Sequence, residues 1–161
     1  MKQILPVFVL ALLAAAPAAA QPAGGMSAMG YYVGTWSCVG ARAGEGPTNA
    51  TVTYAMSGDV LTGNLTVPAQ GKMQTPYYAT FATSYDGKTR YIQTFLDGLG
   101  SWGISYAPTW TGNTEQWTDS SSSDGKLGHG NVVRTDNDHY TYTGYLDSPT
   151  PSFTTTCQRQ H

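Results

Sequence analysis

The sequence predicts an all-β protein, a single antiparallel up-and-down β-barrel of about ten strands with its first and last strands joined by a disulfide. Three observations point there. Turn signals recur at near-even intervals along the chain. The segments between them favour Thr, Tyr and Val over helix formers. Charge is scarce: of 161 residues, 8 are Lys or Arg and 10 are Asp or Glu, 11% in all, against roughly 25% in ordinary soluble domains. Thr (22 residues), Gly (19) and Tyr (11) take their place. The 12% aromatic and 40% hydrophobic content excludes a disordered chain. A net charge of -2 and a pI near 5.8 give no electrostatic footprint for nucleic acid, nor for an anionic membrane surface.

The first segment is a targeting signal rather than part of the fold. Met1-Lys2-Gln3 is cationic, Ile4 to Ala16 is apolar apart from Pro6, and Pro17 ends any helix. Ala18-Ala19-Ala20 supplies the small residues a signal peptidase needs, so residues 1–20 read as a signal peptide cleaved near Ala20. The apolar run is too short to span a bilayer comfortably, and no later stretch reaches 18 apolar residues. The protein is therefore expected to be exported, into a periplasm or the medium. Residues 21–30 read as a flexible lead, and residues 31–161 as the barrel. Met26 and Met29 in that lead have no His or Cys beside them and do not make a copper site.

Export gives meaning to Cys38 and Cys157, the two cysteines of the chain. In an oxidising compartment an even pair without a C-x-x-C spacing reads as a structural disulfide. Closing a loop of about 120 residues stabilises by roughly 5 kcal/mol in the chain-entropy model.

The turns then count the strands. They fall at residues 43–47, 57–59, 69–72, 86–87, 97–98, 111–113, 124–125, 136–138 and 148–151, and so separate ten segments. Thr51-Val52-Thr53-Tyr54, Tyr77 to Phe81, Tyr91 to Phe95 and Tyr140 to Thr143 are β-rich in composition. With a two-residue Asp86-Gly87 loop, Tyr85 opposes Lys88, Phe81 opposes Ile92 and Tyr77 opposes Leu96, which gives one apolar face. A three-residue loop at Asp97 places Trp102 opposite Thr94 and Ile104 opposite Ile92. Around Asn137, Thr135 opposes His139. A meander this long is expected to close, since an open sheet leaves two adhesive edges. If Cys38 faces Cys157 across the closing strands, Trp36 lies opposite Arg159, with the guanidinium on the indole face.

Gly34-Thr35-Trp36 resembles the G-x-W signature of lipocalin-like (calycin) barrels. Thr135-Asp136-Asn137-Asp138-His139-Tyr140 resembles their T-D-Y-x-x-Y motif with Asn137 in place of Tyr. Arg159 stands where their Arg packs on the Trp. Over about residues 31 to 160 the chain is similar to a family of small exported bacterial proteins with lipocalin-like barrels. The run from Tyr85-Asp86-Gly87-Lys88 through Gly100 carries most of that likeness. Ten strands, rather than the eight of lipocalins, resemble the fatty-acid-binding and nitrobindin-type barrels. The Asn137 replacement and the ten strands keep ligand and pocket geometry from being carried over from these barrels. The leading expectation is an exported, monomeric barrel that binds a small hydrophobic or amphipathic molecule and does not transform it.

Trp36, Arg159, Cys38 and Cys157 are expected to be structural. Trp102, Trp117, Tyr140, Tyr142 and Phe81 are the candidates for lining a ligand cavity, because a ten-stranded barrel leaves room that eight strands would fill. Alternatively, outward-facing Trp and Tyr would make a carbohydrate-binding or envelope-interaction surface. No catalytic residues emerge. Most carboxylates lie in or beside turns, where they act as turn formers. Glu115 and Asp119 share one strand face with Trp117 between them, but four residues of strand separate them by roughly 13 Å, too far for paired acid–base work. His129 and His139 stand too far apart along their hairpin to share a metal. A haem of the nitrobindin kind needs one inward His, and His129, sharing parity with Val133, is the residue that could supply it. No cofactor or metal is expected.

Overall fold

The computed structural model describes residues 25–42, 44–110, 112–146 and 148–161. The signal peptide expected at residues 1–20 lies outside the described residues. A 3-10 helix (Met26–Tyr32) leads into ten strands: β1 (Gly34–Arg42), β2 (Thr48–Ser57), β3 (Val60–Val67), β4 (Tyr77–Tyr85), β5 (Arg90–Asp97), β6 (Trp102–Pro108), β7 (Thr114–Ser122), β8 (Gly128–Arg134), β9 (His139–Leu146) and β10 (Phe153–Arg159). Each strand pairs antiparallel with its sequence neighbour, and β1 pairs with β10 to close the barrel. No sheet edge remains to template aggregation.

Closure follows the expected register. Trp36 opposes Arg159 and Cys38 opposes Cys157, and the two cysteines are disulfide-bonded. The Arg159 guanidinium lies 4.2 Å from the centre of the Trp36 ring. It also donates to the carbonyl oxygens of Val33 and Tyr31. The cation thus ties the entering chain to the last strand while covering the indole. At the β8–β9 hairpin the expected register also holds: Thr135 N–H donates to His139 O across 2.9 Å, and Arg134 opposes Tyr140.

Two hairpins differ from expectation. Tyr85 opposes Tyr91 rather than Lys88, and Phe81 opposes Phe95 rather than Ile92. The Asp86 carboxylate explains the longer reversal, because one oxygen accepts from the backbone N–H groups of Lys88, Thr89 and Arg90. Asp86 N–H in turn donates to Arg90 O. The loop therefore needs five residues. A slip by an odd number turns a strand over, so Tyr91, Gln93 and Phe95 face inward and Ile92 and Leu96 face solvent. At the next hairpin Leu96, not Thr94, opposes Trp102, since Asp97 Oδ1 holds the N–H groups of Leu99 and Ser101. That slip is even, so Trp102 keeps the face of Leu96 and is carried with it from the expected inward face to the outward one.

The described part of the expected lead, residues 25–30, is not simply flexible. From Gly25 it turns into the barrel end where β1 begins, and Met29 is 1% exposed. Met29 and Tyr32 displace water from an opening that strands alone would leave, and that burial outweighs the cost of ordering a Gly-rich segment. The opposite end, where β1 ends and β2 begins, is the mouth.

Candidate functional site

The barrel interior divides into two halves with different chemistry. At the helix end Trp36, Val52, Leu61, Tyr91, Ala107 and Tyr140 are all buried, with Met29 and Tyr32 set among them. Trp36 Nε1 donates to Tyr32 O at 2.7 Å, and Tyr91 Oη donates to Gly25 O at 2.8 Å. Both bonds fix the helix as a plug.

Within this sealed half stands a charged cluster that the sequence reading did not assemble. Glu115, inward on β7, is 1% exposed. Its Oε1 accepts from Tyr32 Oη at 2.5 Å and from Arg134 Nε at 2.9 Å, while Oε2 accepts from Trp117 Nε1 at 3.3 Å. Arg134 Nη2 donates to the same Oε1. The guanidinium is sandwiched by aromatic rings, 4.6 Å from the centre of Tyr31 and 5.1 Å from that of Trp110. Burial pushes the Glu115 carboxyl up from its ordinary range, against the pull of Arg134. Both carboxylate oxygens of Glu115 have partners inside the protein, and among the described residues no buried side-chain polar atom lacks one. The cluster joins the plug, β7 and β8 as a buried polar keystone.

Trp117 and Tyr140 belong to this closed half. Trp117 is spent on Glu115, and Tyr140 packs 4.8 Å from Trp36 and 5.5 Å from Tyr32, ring centre to ring centre. Trp102 lies outside the barrel, 44% exposed beside Leu96. Tyr142 and Phe81 are the two candidates that the structure sets in the other half. Trp110 is partly buried beside Tyr91, at 4.6 Å. The three tryptophans Trp102, Trp110 and Trp117 therefore do not share a surface, and no stacking platform of the kind expected for a glycan binder is built from them.

In the mouth half the inward residues behave differently. Ala50, Leu65, Phe81, Gln93, Phe95 and Ser105 all face the barrel axis by register, yet each keeps part of its surface accessible. Ala50 and Leu65 still pack against the core, and Val67 and Ala79, also inward here, are buried, so this half is a partly filled cup, less tightly packed than the plug half. Phe81 and Phe95 form one aromatic wall, with centres 5.5 Å apart. Tyr142 and Phe153 form another at 5.2 Å.

That second wall depends on missing side chains. A Cβ on Gly130 would lie 2.5 Å from Tyr142 Oη, and one on Gly144 would lie 2.5 Å from the Phe153 ring. Both rings therefore lie flat over backbone, and any other residue would drive them into the lumen. A cleft of about 180 Å³ opens at this wall, lined by Arg42, Asp119, His129, Tyr142, Tyr145 and Phe153 among others. Asp119 is inward-facing: Oδ1 accepts from Ser105 Oγ at 2.6 Å and Oδ2 from Gly128 N–H at 3.0 Å. Burial, with the Asp119 charge adding, pushes the Tyr142 hydroxyl up to about 12. Across the mouth Tyr77, also raised to about 12, first by burial and then by Asp97, donates to Asp97 Oδ2 at 3.1 Å.

His129 faces outward, opposite in sense to the inward position a haem ligand needs, because Gly130, Val132 and Arg134 take the inward positions of β8. Its ring stacks on Tyr145, with centres 4.6 Å apart and planes 4° from parallel. His139 Nδ1 lies 2.9 Å from the Asp136 carboxylate, a partnership within its own turn. Neither His faces the barrel axis, although the outward His129 ring lines the cleft at the rim.

No family model and no curated protein matches the chain. The crystal structure of Rv2717c from M. tuberculosis is similar in fold, with a TM-score of 0.65 and 15% identity over 84% of this chain and 97% of that one. A redesigned β-barrel (TM-score 0.49, 10% identity, 82% of this chain and 94% of that one) and a de novo designed fluorescence-activating β-barrel (0.45, 13%, 83% and 97%) are more distant in shape. At 15% identity the first likeness shows a shared barrel fold and nothing of its contents.

Proposed function

We propose that this chain is an exported barrel that holds a small, largely apolar molecule in its mouth half and does not transform it. The observation that carries the reading is that most inward residues around the plug are buried, whereas Phe81, Gln93, Phe95 and Ser105 toward the mouth keep accessible surface beside the buried Val67 and Ala79. Aromatic walls with interspersed Thr, Ser and Gln suit an apolar ligand with a few polar groups. The helix plug supports a single entrance. Export rests on the small-residue cleavage site near Ala20 and is supported by the Cys38–Cys157 disulfide, which persists in an oxidising compartment. The fully partnered Glu115 and the separated histidines support a binding role over a catalytic one.

The test is a fluorescence titration with N-phenyl-1-naphthylamine, a neutral apolar probe. The expected result is a saturable rise in emission that Ala50→Phe, which points a large ring into the cup, abolishes without changing the far-ultraviolet circular dichroism. No saturable rise, or an unchanged rise in Ala50→Phe, overturns the reading.

A further inference from the structure

We infer that the cleft beside Asp119 is a subsite for an organic cation, so that the ligand of the cup carries an amine or alkylammonium group. The inference rests on the cup being a binding site and names what that site selects.

Three features meet there. Asp119 is a carboxylate facing the barrel interior, and no Lys, Arg or His approaches it within 4.0 Å among the described residues. Its two hydrogen bonds come from neutral donors, Ser105 and Gly128, which orient the group without cancelling its charge. The contrast with Glu115 is instructive. That carboxylate is equally inward on the same strand but is matched by Arg134. A partly sheltered charge with no ion-pair partner in contact favours a ligand that supplies one.

The walls fit the same ligand. Tyr142 and Phe153 pack as a pair beside the carboxylate, and Tyr145 lines the cleft with them. Aromatic faces next to an anion attract organic cations through the ring quadrupole, and they accept the alkyl substituents that water solvates poorly. At about 180 Å³ the cleft is smaller than the roughly 300 Å³ at which whole-ligand pockets begin. It fits a head group, with the rest of the molecule extending toward Phe81 and Phe95. Arg42 and His129 also line the cleft. Arg42 is exposed and acts on Tyr77 across the mouth, while the outward His129 ring is stacked on Tyr145.

The test compares three probes of one size at pH 7: phenethylamine (cation), 2-phenylethanol (neutral) and phenylacetate (anion). Binding is followed by amide shifts of Gly128, Gly130 and Gly144 in heteronuclear NMR. Phenethylamine is expected to bind at least tenfold more tightly than the other two. Asp119→Asn, which keeps an acceptor for Gly128, is expected to remove that preference and leave 2-phenylethanol unchanged. Equal binding of phenethylamine and 2-phenylethanol overturns the cation subsite, as does preference for phenylacetate, which would make Arg42 the anchor. Absence of shifts with all three overturns it too. The naphthylamine titration reports separately whether the cup itself binds.

Discussion

Glu115 and Arg134 form an ion pair inside the barrel, with the carboxylate 1% and the guanidinium 7% exposed. They come from neighbouring strands, and the pair is closed over by Tyr32 from the helix plug. Such a pair stabilises little in itself, because desolvation of both ions offsets their attraction. Breaking it is another matter. Glu115→Ala strands the Arg134 cation in an apolar layer and is expected to cost about 3–5 kcal/mol. The double variant Glu115→Met with Arg134→Met removes both charges and is expected to recover most of that loss. Urea unfolding of the singles and the double closes the cycle. Losses that simply add would mean that the two residues are not coupled.

Met29 is the apolar anchor of the plug, and Tyr32 is its polar one. Met29→Ala is expected to destabilise by about 2–5 kcal/mol, the range for a large-to-small change in a core. A flexible lead would instead tolerate the change within about 0.5 kcal/mol. The unfolding midpoint in urea decides between the two.

The turn carboxylates set the response to acid. Asp86, Asp124 and Asp136 all have carboxyls below the ordinary range, chiefly because backbone N–H groups of Lys88, Lys126 and Asp138 respectively donate to them. A carboxyl lowered on folding contributes stability that is present above its unfolded value and is lost as pH falls through the lower folded value. The urea midpoint is therefore expected to fall below about pH 4. Changing all three to Asn keeps the oxygen acceptors while removing the proton linkage, and the curve should flatten between pH 4 and pH 2. A slope as steep as that of the unaltered protein would assign acid lability elsewhere.

These turns also mark where the sequence was legible and where it was not. Closure could be read because it needs only two cysteines near opposite ends and an argument against open edges, and Trp36 over Arg159 then followed by counting. The Asp86-Gly87 dipeptide looked like a two-residue turn, but nothing in two letters says that one carboxylate will hold three successive N–H groups and lengthen the loop. That slip alone moved Phe95 into the cup and Leu96 out of it. Glu115 was visible as sharing a face with Trp117. Its partner stands 19 residues away on the next strand, and a barrel places them together only when the register is known. The plug was illegible for a simpler reason: a Gly-rich lead has the composition of a linker, and only the open barrel end gives Met29 something to fill.

Phe81 and Trp102 separate the inside of the barrel from its outside. Both are aromatic residues near the mouth. Phe81 faces inward against Phe95, whereas Trp102 stands outward beside Leu96. If the ligand occupies the cup, Phe81→Ala removes wall area from the site and should weaken naphthylamine binding about five- to tenfold, or about 1 kcal/mol. Trp102→Ala should leave that affinity within twofold and shift stability by no more than about 0.5 kcal/mol, as an exposed substitution away from special features does. The opposite pattern, with Trp102→Ala weakening binding and Phe81→Ala silent, would move the site to the outer face and restore the envelope-surface reading. Fluorescence titration of the two variants under one set of conditions makes the distinction, and Trp102→Ala doubles as a control for the loss of one tryptophan from the emission background.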